Sequence, residues 1–433
     1  MFPAIILFAA TYVLMMIFGK YRPYIALASG ASFVAAGMLP VGEIMWALDI
    51  NVLLMIGGTM GLVQLFIDSR MPARMADFVM EKVPNVQWAA VCLCLFAGMI
   101  SAFVDNVATV LMVAPVAVEI CRKLKTDPVP FVIVIAVSSN LQGAATLVGD
   151  TTAIMLGSAV GMSFMDFFWY LGRPSMFFAV ELGAILSALM VGVLFRKDKA
   201  PIPKTGRLTQ VNDYVPTVLL VSTIGLLIGA SFAPEGWRLP AQTNGIICCG
   251  MLVVGLICNV ARHRRFSAAI TPLKAIDLET LGLLVGLFLM IGGITHMGVV
   301  QVLAGFLAKL GGGNVFLMYN IVVWASVLIS AFIDNIPYVA TMIPVIGGLA
   351  EQMAPGIGVD AALVAVPMYF GLLSGATLGG NMTPIGASAN IAAMGMLRKE
   401  GYNVKNRDFF RIGIPFTVAA IVPAYLYIWL VFG

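Results

Sequence analysis

Ile100–Val116 reads ISAFVDNVATVLMVAPV, and Ile329–Val345 reads ISAFIDNIPYVATMIPV. The spacing is a constant 229 residues, so Ser101 maps to Ser330, Asp105 to Asp334, Asn106 to Asn335 and Pro115 to Pro344. Each copy sets an Asp-Asn pair inside a long apolar run. A bare carboxylate in hydrocarbon costs several kcal/mol, so a carboxylate kept there marks a functional site by default. Two of them at equivalent places point to a duplicated module with one site between the copies.

Composition agrees with a membrane setting. The 433 residues are 61% hydrophobic and 11% charged, against about 25% charged in soluble domains. Repeated apolar runs of roughly 20 residues are what spanning helices require. No short alternating strands suggest a barrel. The expected fold is all-α and polytopic, in the inner (plasma) membrane of a bacterium. The first apolar run lacks a basic leader or a cleavage site and reads as a spanning helix. A net charge of +4 gives no reason to expect a nucleic-acid partner. Six cysteines lack metal-site spacing, and two histidines exclude a His-rich metal centre.

Working outward from the repeat, apolar runs place helices near 2–18, 24–39 and 46–66, then an amphipathic segment at Ile67–Asn85. The first Asp-Asn unit, 88–121, reads as a re-entrant hairpin. A segment at 129–162 is broken by LQGAATLVGDTT, and a helix follows near 172–195. The second half repeats this order near 214–232, 241–260 and 280–298. An amphipathic stretch at 299–313, a hairpin at 315–351, a segment at 361–396 broken by LGGNMTPIGASAN and a last helix near 411–432 complete it. Thus 1–200 and 214–433 are the two repeats, joined by a basic linker at 201–213. Further landmarks recur in order. LMIGG stands at Leu54–Gly58 and Leu289–Gly293, and Gly143, Thr146 and Gly149 align with Gly380, Thr383 and Gly386.

Five full spans plus a hairpin per half make the second repeat inverted. On that topology all but Arg173, Arg238 and Lys309 of the 25 basic residues share one face, which is then cytoplasmic. Both termini lie outside. The first hairpin enters from the cytoplasm and the second from outside.

Inverted repeats with interrupted helices are the pattern of secondary transporters, whose site lies at the repeat interface. Unwound backbone frees carbonyls for a cation and amides for an anion. Asp105, Asn106, Asp150, Asp334 and Asn335 are the candidates for coupling to a cation or proton. Asp105, Asn106 and Asp150 would hold Na⁺ through oxygen, and no other cofactor is expected. Thr109, Gly143, Thr146, Thr151, Thr152, Gly380, Asn381, Thr383, Ser388 and Asn390 are the substrate-binding candidates. Asp and Asn are also favoured N-caps and turn formers, so capping alone is the competing reading. The halves differ, because Asp150 aligns with Ala387. No Lys or Arg is expected near these residues within the membrane. Glu181 reads as a helix-packing carboxyl or a proton carrier, and His296 as an interfacial histidine. With no nucleophile–base pair or metal motif, an enzyme is not expected.

At these residues the chain resembles the ion transporter superfamily, in its arsenite-pump/NhaD/P-protein branch. SAFVDNVATVLMVAPV followed by SSNLQGAATLVGDTTAIMLGSAVGMSFMDFF is similar to that branch's first-half signature. DNIPYVATMIPV followed by LGGNMTPIGASANIAAMG is similar to its second. The resemblance implies a scaffold of outer helices, a moving domain with two opposed hairpins and two broken helices, elevator-type motion and a homodimer. Dicarboxylate carriers in the superfamily have Ser-Asn-Thr at the hairpin tips, where this chain has Asp105-Asn106-Val107 and Asp334-Asn335-Ile336. Gly149-Asp150-Thr151-Thr152 is similar to Na⁺/H⁺ antiporter relatives. The expected activity is Na⁺- or H⁺-coupled movement of a small anion or oxyanion by alternating access. Na⁺/H⁺ antiport is the alternative, and an anion channel on a transporter fold is the reading from another class.

Overall fold

A computed structural model describes residues 1–124, 126–202, 208–234, 237 and 239–433. The middle of the expected linker, 203–207, and the basic residues Lys125 and Arg238 lie outside the described residues. The first half runs α1 (Phe2–Ile17), α2 (Arg22–Ala35), α3 (Ile44–Ala47), α4 (Ile50–Asp68), α5 (Met71–Glu81), α6 (Val86–Ser101), α7 (Asn106–Leu124), α8 (Val129–Gly143), α9 (Thr151–Val160) and α10 (Met176–Leu194). The second runs α11 (Val215–Ser231), α12 (Thr243–His263), α13 (Ile270–Lys274), α14 (Leu278–His296), α15 (Val299–Gly311), α16 (Val315–Ser330), α17 (Asn335–Ile357), α18 (Ala361–Gly379), α19 (Ser388–Lys399) and α20 (Asn406–Phe432). The expected all-helical membrane fold is therefore borne out. Six of the described helices, α4, α10, α12, α14, α18 and α20, are long and apolar enough to cross a bilayer.

Helix caps recur along with the sequence landmarks. Asn85 accepts the Trp88 N–H at 3.1 Å to start α6, and Asn314 accepts the Leu317 N–H at 3.0 Å to start α16. Asp49 and Asp277 cap α4 and α14 in the same way. A short polar acceptor satisfies one of the first-turn amides that a helix leaves orphaned. The run from α1 into α2 turns through 116°, and that from α15 into α16 through 117°.

One element was not anticipated. Trp169–Tyr170 (β1) pairs antiparallel with Arg173–Pro174 (β2). The connection Leu171-Gly172 has φ of 52° and 74°, the two positive values of a tight hairpin turn. The helix expected from 172 therefore starts at Met176.

The outer helices pair across the halves. α4 packs on α12, and α14 packs on α2. Small residues permit this, because without a hydrophobic drive between helices the backbones must touch closely. A Cβ on Gly58 would lie 2.6 Å from the Cys248 carbonyl carbon, and one on Gly286 2.3 Å from that of Ala26. Gly57, one residue along, would meet only a Leu281 methyl at 3.8 Å. Gly286→Ala should therefore destabilise the protein by about 1–3 kcal/mol through overpacking, while Gly57→Ala should be silent. Melting of the two purified variants in detergent checks the contrast; equal melting would remove the close-packing account.

The remaining long helices form the other layer, with α8 and α18 almost wholly buried between α6, α10, α16, α17 and α20. Cys94, Cys121 and Cys248 are buried and unbridged, as expected of small apolar fillers.

Candidate functional site

The turns of the two hairpins, α6–α7 and α16–α17, bring Asp105, Asn106 and Asn335 to one space, with α7 packed on α19 and α17 on α9. The chain turns at Ala102–Asp105 and again at Ala331–Asp334. Backbone carbonyls at such tips need partners, since no water reaches hydrocarbon. The broken helices supply them. Thr146 Oγ1 donates to the Ala102 carbonyl, and Thr383 Oγ1 donates to the Ala331 carbonyl. The loops can come this near because Gly149 and Gly386 lack side chains. A Cβ on Gly149 would stand 2.7 Å from Gly143 O and 3.0 Å from Ala102 O; on Gly386, 2.6 Å from Gly380 O and 2.9 Å from Ala331 O.

Each carboxylate caps a helix that starts at this centre. Asp105 accepts the Val107 and Ala108 amides at 3.0 and 3.2 Å, capping α7. Asp150 accepts the Thr151 amide at 2.8 Å and the Thr152 hydroxyl at 2.6 Å, capping α9. Asp334 accepts the Ile336 amide at 3.1 Å, capping α17. α19 starts at the same place with Ala387 in the cap position and no side-chain acceptor. Capping and ion binding are compatible, because a carboxylate has about four lone-pair directions and the amides use only some of them.

The halves meet through Asp150, whose Oδ2 also accepts Asn335 Nδ2 at 3.4 Å. Beside that junction is a cavity of about 250 Å³. Asp105, Asn106, Asp150, Thr151, Asn335 and Ser388 line it, as do Gln64, Asn140, Asp277 and Thr280. Three carboxylates thus face one space. No Lys or Arg lines it among the described residues.

The other predicted residues stand behind this cavity. Thr109 and Thr152 are buried, the latter 3.4 Å from Thr377 Oγ1 across the halves. Gly143 makes room for Asn106, whose Oδ1 would lie 2.6 Å from an added Cβ. Asn106 Oδ1 also accepts the Ser101 hydroxyl at 2.8 Å. Gly380, Asn381, Thr383 and Asn390 form the second broken loop. There Asn140 Nδ2 donates to Asn381 Oδ1 at 2.9 Å and Asn390 Oδ1 at 3.2 Å. Glu181 Oε1 accepts Gln142 Nε2 at 2.9 Å, which fits the helix-packing reading. His296 Nδ1 lies 3.1 Å from Glu43 Oε2, both partly exposed.

One expectation is overturned. Arg22 Nη1 is 3.3 Å from Asp334 Oδ2, so an arginine does reach the second tip. The same oxygen accepts Ser388 Oγ at 3.2 Å. In sequence Arg22 groups with the basic loop residues, since it follows Lys20 at the bend between α1 and α2, and its long stem lets the charge lie far from its Cα. Asn140 and Asp277 were also missed. The polar run Ser138-Ser139-Asn140 inside an apolar helix was an available signal for Asn140; Asp277 looked like a loop residue.

Tips and broken helices enclosing a polar cavity within an apolar bundle define a membrane transporter. Residues 12–371 match the family described as CitMHS, citrate transporter, and the chain belongs to that family. It is 34% identical to the 46 kDa membrane protein of Mycobacterium leprae (strain TN) over 340 residues, 78% of this chain and 76% of that one. It is 25% identical to the P protein of Mus musculus, over 95% of this chain and 58% of that one. The YdaH transporter of Alcanivorax borkumensis, at 13% identity, shares the fold with a TM-score of 0.61, over 90% of this chain and 86% of that one.

Proposed function

We propose that this transporter couples the movement of a small carboxylate-type anion to a Na⁺ or H⁺ gradient. The observation that carries the reading is the cavity where Asp105 and Asp150 face one space without a basic partner. Such oxygens suit a hard cation or a proton. The second half is less negative, because Arg22 offsets Asp334 and Ala387 replaces the carboxylate equivalent to Asp150. The anion is assigned to that side, near Ser388 and Asn335, beside the coupling cation. The family's description, citrate transporter, supports a carboxylate cargo.

In this reading the halves are inverted, the basic face is cytoplasmic, and both termini lie outside. Gln64, Ala275 and Asp277 line the cavity, and Ala275 follows Lys274 of that basic face, which favours reading it as facing inward. An elevator movement of the hairpin layer against the α2–α14 and α4–α12 pairs, in a homodimer, would carry the site across.

The acidic lining favours a second reading, Na⁺/H⁺ antiport with no anion. Reconstituted protein in liposomes separates them. The expected result is uptake of labelled citrate that requires an imposed Na⁺ or H⁺ gradient. Sodium-driven proton flux with no anion present would select antiport. Flux indifferent to every cation gradient would remove both.

A further inference from the structure

The two Asp-Asn tips are equivalent in sequence, yet their carboxylates differ in charge environment. Asp105 accepts backbone amides and faces the cavity, with no ion-pair partner among the described residues. Asp334 is held by Arg22, on the oxygen that also takes Ser388 Oγ. The hold is reinforced from α1, where Tyr12 donates its hydroxyl to the Pro337 carbonyl at 2.6 Å and also contacts Thr341 Oγ1. The N-terminal helix pair therefore grips the second hairpin at three points around its tip.

Among the described residues no arginine or tyrosine holds the first tip in this way. Ala26 of α2 packs on Gly286 of α14, and Cys248 of α12 packs on Gly58 of α4, the position equivalent to Gly286 when the capping Asp49 and Asp277 are matched. One turn before Ala26 stands Arg22. One turn before Cys248 stands Asn244. The arginine has no counterpart, so it separates the roles of two otherwise matched carboxylates.

We infer that Arg22 is a specificity-determining residue which sets how many cations move per anion. Its guanidinium stays charged under all working conditions, so Asp334 is already neutralised and takes no coupling cation. Asp105 and Asp150, with Asp277 on the same cavity, then form the cation site. Without Arg22, Asp334 would become a second uncompensated tip carboxylate, mirroring Asp105, and would recruit a further cation. This inference rests on the cation-coupled reading proposed above.

The test uses the reconstituted full-length protein and citrate flux under set cation gradients and voltage, with the reversal potential as readout. Arg22→Gln should shift the reversal potential to that of one additional cation per anion. Arg22→Gln combined with Asp334→Asn should return it to the wild-type value. Asp334→Asn alone leaves the Arg22 charge unpaired beside the site and should weaken cation dependence about tenfold or more, with recovery in the double variant. If Arg22→Gln fails to fold, that recovery still decides the matter, because Asp334→Asn behaving like the double variant would overturn the inference. A folded, coupled Arg22→Gln with the wild-type reversal potential would overturn it too, and leave the functional reading standing. A wild-type protein with no cation dependence would sink both.

Discussion

Asp105→Asn and Asp150→Asn should each abolish the cation dependence of transport under ordinary gradients, while the protein still folds. The amide keeps the size of the carboxyl and one acceptor oxygen, so the caps on α7 and α9 survive in weakened form. What is lost is the charge. Interactions with a charged group contribute about 1.5–3 kcal/mol more than they cost, which is about 10- to 100-fold in cation affinity. Asp150 should show the larger effect. Its Oδ2 also accepts the Asn335 amide from the opposite tip at 3.4 Å, so it joins the two halves as well as facing the cavity. Half-maximal Na⁺ or H⁺ concentrations for citrate uptake in liposomes measure both variants. Wild-type cation dependence in either one would reduce its carboxylate to a helix cap.

Gly149→Val and Gly386→Val should each eliminate transport and lower the melting temperature. The added Cβ would meet backbone oxygens, at 2.7 Å from Gly143 O in one loop and 2.6 Å from Gly380 O in the other. Backbone cannot rotate away as a side chain can, so the loop must withdraw from the hairpin tip. That breaks the Thr146 and Thr383 bonds to the tip carbonyls. Overpacking of this kind costs about 1–3 kcal/mol, and an unmade bond to a buried carbonyl adds about 1–3 kcal/mol. Gly161, with nothing within 4 Å but a φ of 74°, is the comparison. Gly161→Asn, which tolerates that backbone, should leave transport intact. If Gly149→Val transported normally, the tip–loop contact would have no role in the cycle.

The fold was legible wherever burial of polarity is expensive. The paired Asp-Asn tips and the two glycine- and threonine-rich breaks recur at fixed spacings, and in the structure they occupy matching places. The LMIGG runs do not: Leu54 is the fifth residue of α4 and Leu289 the twelfth of α14. The missed residues share a physical cause. Arg22, Tyr12 and Asn140 act across more than 200 residues of chain, through side chains whose reach the local pattern does not encode. Asn140 also lacks a like partner, because Thr377 stands in its place in the second half. The turn at Leu171-Gly172 is short and sits between long helices, where apolar residues such as Trp169 and Tyr170 blend into the flanking runs.

The crosswise pairing of α2 with α14 and of α4 with α12 has a consequence for how the chain is made. α2 ends at Ala35, and its partner α14 starts at Leu278. At roughly 5–20 residues per second, α2 waits in the bilayer for tens of seconds before the helix it packs against has been synthesised. During that interval its small-residue face, with Ala26 and Gly30, is shaped for a backbone not yet present and meets lipid or a membrane chaperone. Slowing or splitting synthesis between the halves should therefore be most damaging to the N-terminal helix pair, the same pair whose Arg22 later holds the second tip.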